Sequence, residues 1–129
     1  MNILRTGIDL IEVSRFSTQS PEIRARFINR VFTEAEQDYC KGQAQHLAGR
    51  FAAKEAVAKA LGCGIGTISW QEIEILNDEL GMPVLHLHGE AERRAKQLGL
   101  SVWSVSITHL KEYAAATAAA AGNGSEENS

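Results

Sequence analysis

Two acidic side chains stand among apolar ones. Glu55 lies in "GRFAAKEAVAKALG", residues 49–62, and Asp9 lies in "ILRTGIDLIEV", residues 3–13. A carboxylate withdrawn from water is costly without a partner, and a bound cation is one such partner. Oxygen-only ligands suit Mg²⁺, which takes one or two carboxylates and completes its octahedron with water and substrate phosphates. Arg50, Lys54 and Lys59 flank Glu55, and the glycines of "GCGIG", Gly64 among them, allow a close backbone approach. Carboxylates, a magnesium ion and basic residues together point to phosphoryl-type chemistry at a polyphosphate. The plainer reading of Glu55 is a rim carboxylate paired with Lys59 at i,i+4.

Other chemistries find less support. The glycines do not form a G-x-x-x-x-G-K-[ST] loop, and helices often end in glycine for conformational reasons alone. Of the histidines His46, His86, His88 and His109, only His86 and His88 share a strand face, so structural zinc is disfavoured. No Ser-His-Asp set stands out. The two cysteines, Cys40 and Cys63, read as reduced packing residues of a cytoplasmic protein.

The 129 residues fit one domain, residues 1–121, followed by an acidic, polar tail over 122–129 that is expected to be disordered. Apolar content of 44% and charged content of 22% are ordinary for a globular chain, and no apolar run approaches a membrane span. The N-terminus lacks the pattern of a signal peptide. A net charge of −3 gives no global attraction to nucleic acid. Residues 14–30, however, hold Arg15, Arg24, Arg26 and Arg30 against the single acid Glu22. This patch is either a solvated helix face or a site for an acidic partner or phosphates.

The acids need elements to position them. "ILRTGIDLIEV" reads as a strand, with Gly7, Asp9, Ile11 and Val13 on one face and Leu4, Thr6, Ile8 and Leu10 on the other. Both faces are largely apolar, which predicts a central strand. "SPEIRARFINRVF" opens as a helix whose Ile23, Phe27 and Val31 face inward, leaving Arg24 outside. "TEAE" is a capping box from Thr33 to Glu36. The helix carrying Glu55 turns Leu47, Phe51, Ala58 and Leu61 to one side and stops at "GCGIG". "EIEIL" and "VLHLH" form a hairpin around "NDELGMP", "GEAERRAKQLG" is a short helix, and "SVWSVSITH" is a strand. The run "AAATAAAA" is contradictory. Propensity favours helix, whereas its place after a strand and a tight turn favours a returning strand. The sum is α+β with a mainly antiparallel sheet and packed helices.

"GIDLIEVSRF", "FTEAEQDYC", "LAGRFAAKEAVAKALGCGIG" and "VSITHLKEYAAA", in that order, resemble the holo-acyl-carrier-protein synthases. These are small 4′-phosphopantetheinyl transferases, and the resemblance runs from about residue 3 to residue 120. It implies transfer of 4′-phosphopantetheine from coenzyme A to a serine of apo acyl carrier protein, with release of adenosine 3′,5′-bisphosphate, in fatty acid biosynthesis. It implies a Mg²⁺ ion held by Asp9 and Glu55 against the coenzyme A pyrophosphate while the serine attacks in line. The serine proton goes either to Glu55 or to a water ordered by Asp9. Arg50, Lys54 and Lys59 become candidates for coenzyme A phosphates, and His109 for the nucleotide end. The resemblance also implies a homotrimer with active sites between subunits, and it makes the alanine run a strand. Arg15 and Arg24 are the candidate contacts to the acidic carrier. Two departures stand out: Thr108 where the family has Ser, and Cys63 where Thr is expected. A broad-range transferase would be about twice as long. A coenzyme A binding module without catalysis would not need both acids, and a structural oligomer would explain neither.

Overall fold

The computed structural model describes residues 2–124. Strand β1 (Ile3–Glu12) leads through a 3₁₀ turn (Val13–Phe16) to helices α1 (Pro21–Val31), α2 (Glu34–Cys40) and α3 (Ala44–Leu61). A second 3₁₀ turn (Trp70–Glu72) precedes the hairpin β2 (Ile73–Asn77) and β3 (Pro83–Leu87). Helix α4 (Gly89–Leu98) and the strands β4 (Val102–His109) and β5 (Tyr113–Gly122) complete the fold. The class is α+β and the pairing antiparallel, in two separate sheets: β1-β5-β4 and β2-β3.

The alanine run is β5, and it lies in the middle of the larger sheet. Ala114, Ala116, Ala118 and Ala120 are buried on the face that α3 covers. Side chains this short let a helix approach closely, so tertiary packing overrides alanine's helical propensity. The approach is closest at Gly7, where an added Cβ would meet the Ala56 carbonyl oxygen at 1.8 Å. β1 is therefore an edge strand, which corrects the expectation of a central one. Its alternation is as expected, with Ile11 buried on the inner side, but Leu4, Ile8 and Leu10 stand 71%, 65% and 66% exposed on the outer face.

The other side of α3 meets bulk. Phe51 lies with its ring centroid 5.7 Å from Phe16 and 4.8 Å from Trp70, and Phe27 closes the cluster 5.8 Å from Phe51. The ends of the helices are set by local chemistry. Ser20 accepts from the Ile23 N–H ahead of Pro21, Thr33 and Glu36 form the expected reciprocal cap of α2, and Gly62 ends α3 at φ 72°.

One helix face is reversed from expectation. Ile23 is exposed, while Arg24 turns inward and donates to the Phe16 and Gly42 carbonyls at 2.6 Å each. Two orphan carbonyls at bends of the chain outweigh the apolar side chain for the inner position. The domain boundary expected after Ala121 is also slightly short. Gly122 pairs with Ile3, and the Gly124 N–H reaches the Gly99 carbonyl at 3.4 Å. The rest of the expected tail, residues 125–129, lies outside the described residues.

Candidate active site

Close contact between β1 and α3 brings Asp9 and Glu55 together. Asp9 points toward α3 from the inner face of β1, and Glu55 is half-buried one turn after Phe51. Burial pushes the Glu55 carboxyl above its ordinary range, and the charge of Asp9 pushes it further; Lys59 and Arg15 oppose this. Lys59 Nζ stands 3.3 Å from Asp9 Oδ1 and donates to the Ile8 carbonyl at 2.8 Å. Its salt bridge is therefore with Asp9, across the helix–strand contact, and not with Glu55 along the helix. Arg15 extends back over the Phe51 ring, its Cζ 5.1 Å from the centroid. Two carboxylates and two cations thus converge at one end of β1.

Arg50 belongs to a second cluster. It is 4% exposed, its guanidinium lies 3.9 Å over the Tyr39 ring, and it donates to Asn77 Oδ1. Among the described residues no carboxylate forms an ion pair with it, and its Nε has no partner. A buried cation without a counter-ion is costly, and an anionic ligand relieves that cost. His46 stacks on Tyr39 at 5.5 Å, and His109 lies 5.7 Å from His46, all within a cleft of about 160 Å³. Burial, then the neighbouring His109 and Arg50, holds the His46 imidazole below its usual range. Tyr39 and Asn77 are not among the residues expected here, and His46 is weighed in the sequence only as a zinc ligand. His46 carried a usable signal, since it precedes Arg50 by four residues and so shares its side of α3.

The remaining candidates fall elsewhere. Lys54, expected to meet phosphate, is wholly buried on another side of α3, where Glu36 Oε1 lies 2.7 Å from its Nζ. Spacing alone suggested a cluster with Arg50 and Lys59, but successive residues turn by about 100° and part the three. Gly64 lies in the exposed loop beyond α3, where an added Cβ would meet nothing within 4 Å. Of the two candidate carrier contacts, Arg15 is exposed and Arg24 is engaged by the backbone.

The two clusters lie on different sides of α3. Arg50 and Glu55 are five residues apart on one helix, a turn of about 140° around its axis. His109 and Asp9 lie on the two strands flanking β5.

Comparison with known proteins identifies the family. The model of the 4′-phosphopantetheinyl transferase superfamily matches residues 5–118. A holo-(acyl-carrier-protein) synthase of Herpetosiphon aurantiacus is 47% identical over 88% of this chain and 95% of its own length. That of Moorella thermoacetica is 46% identical over 97% and 99%. Among solved structures, the Helicobacter pylori holo-(acyl-carrier-protein) synthase in complex with coenzyme A superposes with a TM-score of 0.80 at 29% identity, covering 89% of this chain and 98% of that one. The Bacillus anthracis synthase, in complex with coenzyme A (3′,5′-ADP), gives 0.75 at 35% identity, covering 95% and 100%. With the family model, the relatives' identity and the fold in agreement across almost its whole length, the chain belongs to the holo-(acyl-carrier-protein) synthase family of the 4′-phosphopantetheinyl transferase superfamily.

Proposed function

We propose that the protein transfers 4′-phosphopantetheine from coenzyme A to a serine of apo acyl carrier protein, releasing adenosine 3′,5′-bisphosphate, in fatty acid biosynthesis in the cytoplasm. The observation that carries this reading is the pairing of Asp9 and Glu55 beside Lys59 and Arg15, in a chain of this family. A structural role does not call for two acids at one helix–strand contact, one of them with its carboxyl pushed up by burial and by the other. No helix among the described residues is long and apolar enough to cross a membrane.

The acid pair fits Mg²⁺. Among the described residues no group of three or more potential ligands gathers, and two carboxylates match an ion that takes its remaining ligands from water and phosphate. When bound, the ion supplies positive charge against the pyrophosphate of coenzyme A. Asp9 and Glu55 would hold it, and Lys59, 3.3 Å from Asp9 Oδ1, brings a further positive charge beside them. The serine proton goes to Glu55 or to a water ordered by Asp9, the two groups placed to receive it. Arg50, His109 and His46 offer an anion site for the phosphates at the nucleotide end, and Tyr39 contributes an aromatic wall. Gly64 remains a candidate backbone contact.

The angular separation of Arg50 from Glu55 supports a site assembled from two chains. The outer face of the β1-β5-β4 sheet supports the same view. Leu4, Ile8, Leu10 and Val102 are exposed there around the small residues Ala115, Ala119 and Ala121. A second copy of the chain is the occupant this argues for, in a closed trimer.

The test is direct. Protein, coenzyme A, Mg²⁺ and apo carrier are mixed, and the carrier mass is measured. A gain of one phosphopantetheine supports the reading. No gain with an authentic apo carrier overturns it.

A further inference from the structure

Lys54 and Glu36 are each wholly shielded from water, with Nζ 2.7 Å from Oε1. Lys54 Nζ also donates to the Trp70 carbonyl at 3.0 Å and the Ile73 carbonyl at 2.6 Å, so its three donors have three acceptors. Glu36 in turn accepts from the Thr33 N–H at 2.9 Å and the Ile75 N–H at 2.8 Å. The pair therefore joins α3 to α2, to the second 3₁₀ turn and to β2. None of these contacts belongs to either cluster of the active site.

We propose that the buried Lys54–Glu36 pair is a positioning device for the reaction, fixing the rotation and axial setting of α3 so that Glu55 stands against Asp9. The proposal rests on the reading of Asp9 and Glu55 as the catalytic pair. The need for such a joint lies in the sheet-facing side of α3. Ala48, Ala52, Ala56 and Ala60 are buried there, as are Ala114, Ala116, Ala118 and Ala120 of β5. Methyl contacts are individually weak and non-directional, and a small rotation rearranges them at little cost. An ion pair completed by four backbone hydrogen bonds is directional. Stability alone does not account for it, because well-packed apolar residues often stabilise a core as well as a buried ion pair does. Lys54 and Glu55 are successive residues, so the direction of one determines that of the other. A rotation of about 20° would carry a carboxylate about 6 Å from the helix axis through about 2 Å. Misplacement of about 1 Å can cost about a hundredfold in rate.

The double variant Glu36→Gln/Lys54→Met removes both charges and keeps side-chain length. Two quantities are measured beside its thermal transition: Mn²⁺ affinity with coenzyme A present, followed by water-proton relaxation, and kcat and KM for transfer. The expected result is a cooperative transition, Mn²⁺ binding weakened by about fivefold or more, and kcat lowered by about tenfold or more, with the carrier KM little changed. A variant altered only in its melting temperature, with parental Mn²⁺ affinity and kcat, overturns the proposal. Glu55→Gln in the parent is the control. If that change leaves Mn²⁺ binding intact, the metal reading fails, and kcat of the double variant decides alone: a fall supports positioning and no change overturns it. Should the double variant not fold, Glu36→Gln alone retains an acceptor for Lys54 and is judged by the same two quantities.

Discussion

The Gly7 Cα faces the Ala56 carbonyl oxygen so closely that a single methyl group placed on it would lie 1.8 Å away. Asp9 follows two residues after the first, and Glu55 immediately precedes the second. The backbone contact thus sets the distance between the acids, and any side chain at residue 7 forces β1 and α3 apart. Gly7→Ala is expected to cost about 3 kcal/mol, the upper part of the range for overpacking. Its turnover should fall further than its folded fraction does. Urea unfolding and steady-state kinetics on one preparation measure both, and a parental urea midpoint would show that the contact relaxes without strain.

Glu55 sets stability against activity. Its carboxyl is raised above the ordinary 4.5, first by burial and then by Asp9. The folded state therefore binds this proton more tightly than the unfolded chain does. The resulting stabilisation is full below pH 4.5 and is lost as pH rises through the folded value. Above that window the charged group weighs against the fold. Glu55→Gln should raise the melting temperature at pH 7.5 by about 1–2 °C, a small gain because the group is only half-buried and solvent screens part of its charge. It should give no gain at pH 3.5 and should remove about 99% of turnover at any pH. Calorimetry at the two pH values separates these effects, and equal melting temperatures at pH 7.5 would place Glu55 in a milder environment.

Arg50 meets Tyr39 with a flat face and Asn77 with an edge, neither of which lysine reproduces. Arg50→Lys keeps the charge and loses both contacts. Affinity for adenosine 3′,5′-bisphosphate is expected to fall about tenfold, with a matching rise in the coenzyme A KM and a kcat within about threefold of the parent. Isothermal titration with the bisphosphate alone reads the first of these. Unchanged affinity would assign Arg50 to the fold, through Asn77, and not to the ligand.

The paired acids were legible in the sequence because each broke an apolar pattern. So was the returning alanine strand, once family resemblance settled what propensity left open. What could not be read was rotational detail. "GRFAAKEAVAK" sets Arg50, Lys54 and Lys59 at intervals that look like one basic cluster, yet the helix sends them to Tyr39, Glu36 and Asp9 respectively. α3 is buried on nearly all sides, so hydrophobic periodicity carries no record of which side faces which neighbour. The two apolar faces of β1 misled for a related reason. A face left open in one chain, if a second copy covers it, has the composition of a core. Ile23 and Arg24 exchanged their expected places because two carbonyls, of Phe16 and Gly42, need a donor, and nothing in the local sequence announces that need.

Exposure of Leu4, Ile8 and Leu10 yields a test of assembly. Ile8 is 65% exposed and pairs across β5 with Thr117. Ile8→Glu should therefore leave a single chain as stable as before. In a trimer it would bury three like charges near one axis, which is strongly unfavourable. The expected outcome is dissociation in sedimentation velocity with loss of transfer activity. An active trimer of Ile8→Glu would place the contacts between chains elsewhere, and an active parental monomer would overturn the trimer.

The carrier is the larger substrate, and the acidic character of acyl carrier proteins demands a positive surface from a chain whose own charge is −3. Arg15 is exposed beside Asp9 and Glu55, whereas Arg24 has its guanidinium committed to the Phe16 and Gly42 carbonyls. The two arginines should therefore respond differently to reversal. Arg15→Glu is expected to raise the carrier KM by about tenfold at low salt, with the loss shrinking as salt screens the encounter over a Debye length of about 8 Å at physiological strength. Arg24→Glu should raise the carrier KM and also lower stability by about 2 kcal/mol, since two carbonyls lose a charged donor. Coenzyme A affinity should stay parental in both. Carrier KM measured across a salt series, beside urea unfolding of each variant, distinguishes the cases. Equal loss of affinity for carrier and coenzyme A would assign Arg15 to the phosphates, and an Arg24→Glu protein altered only in stability would leave Arg15 as the sole carrier contact of the two.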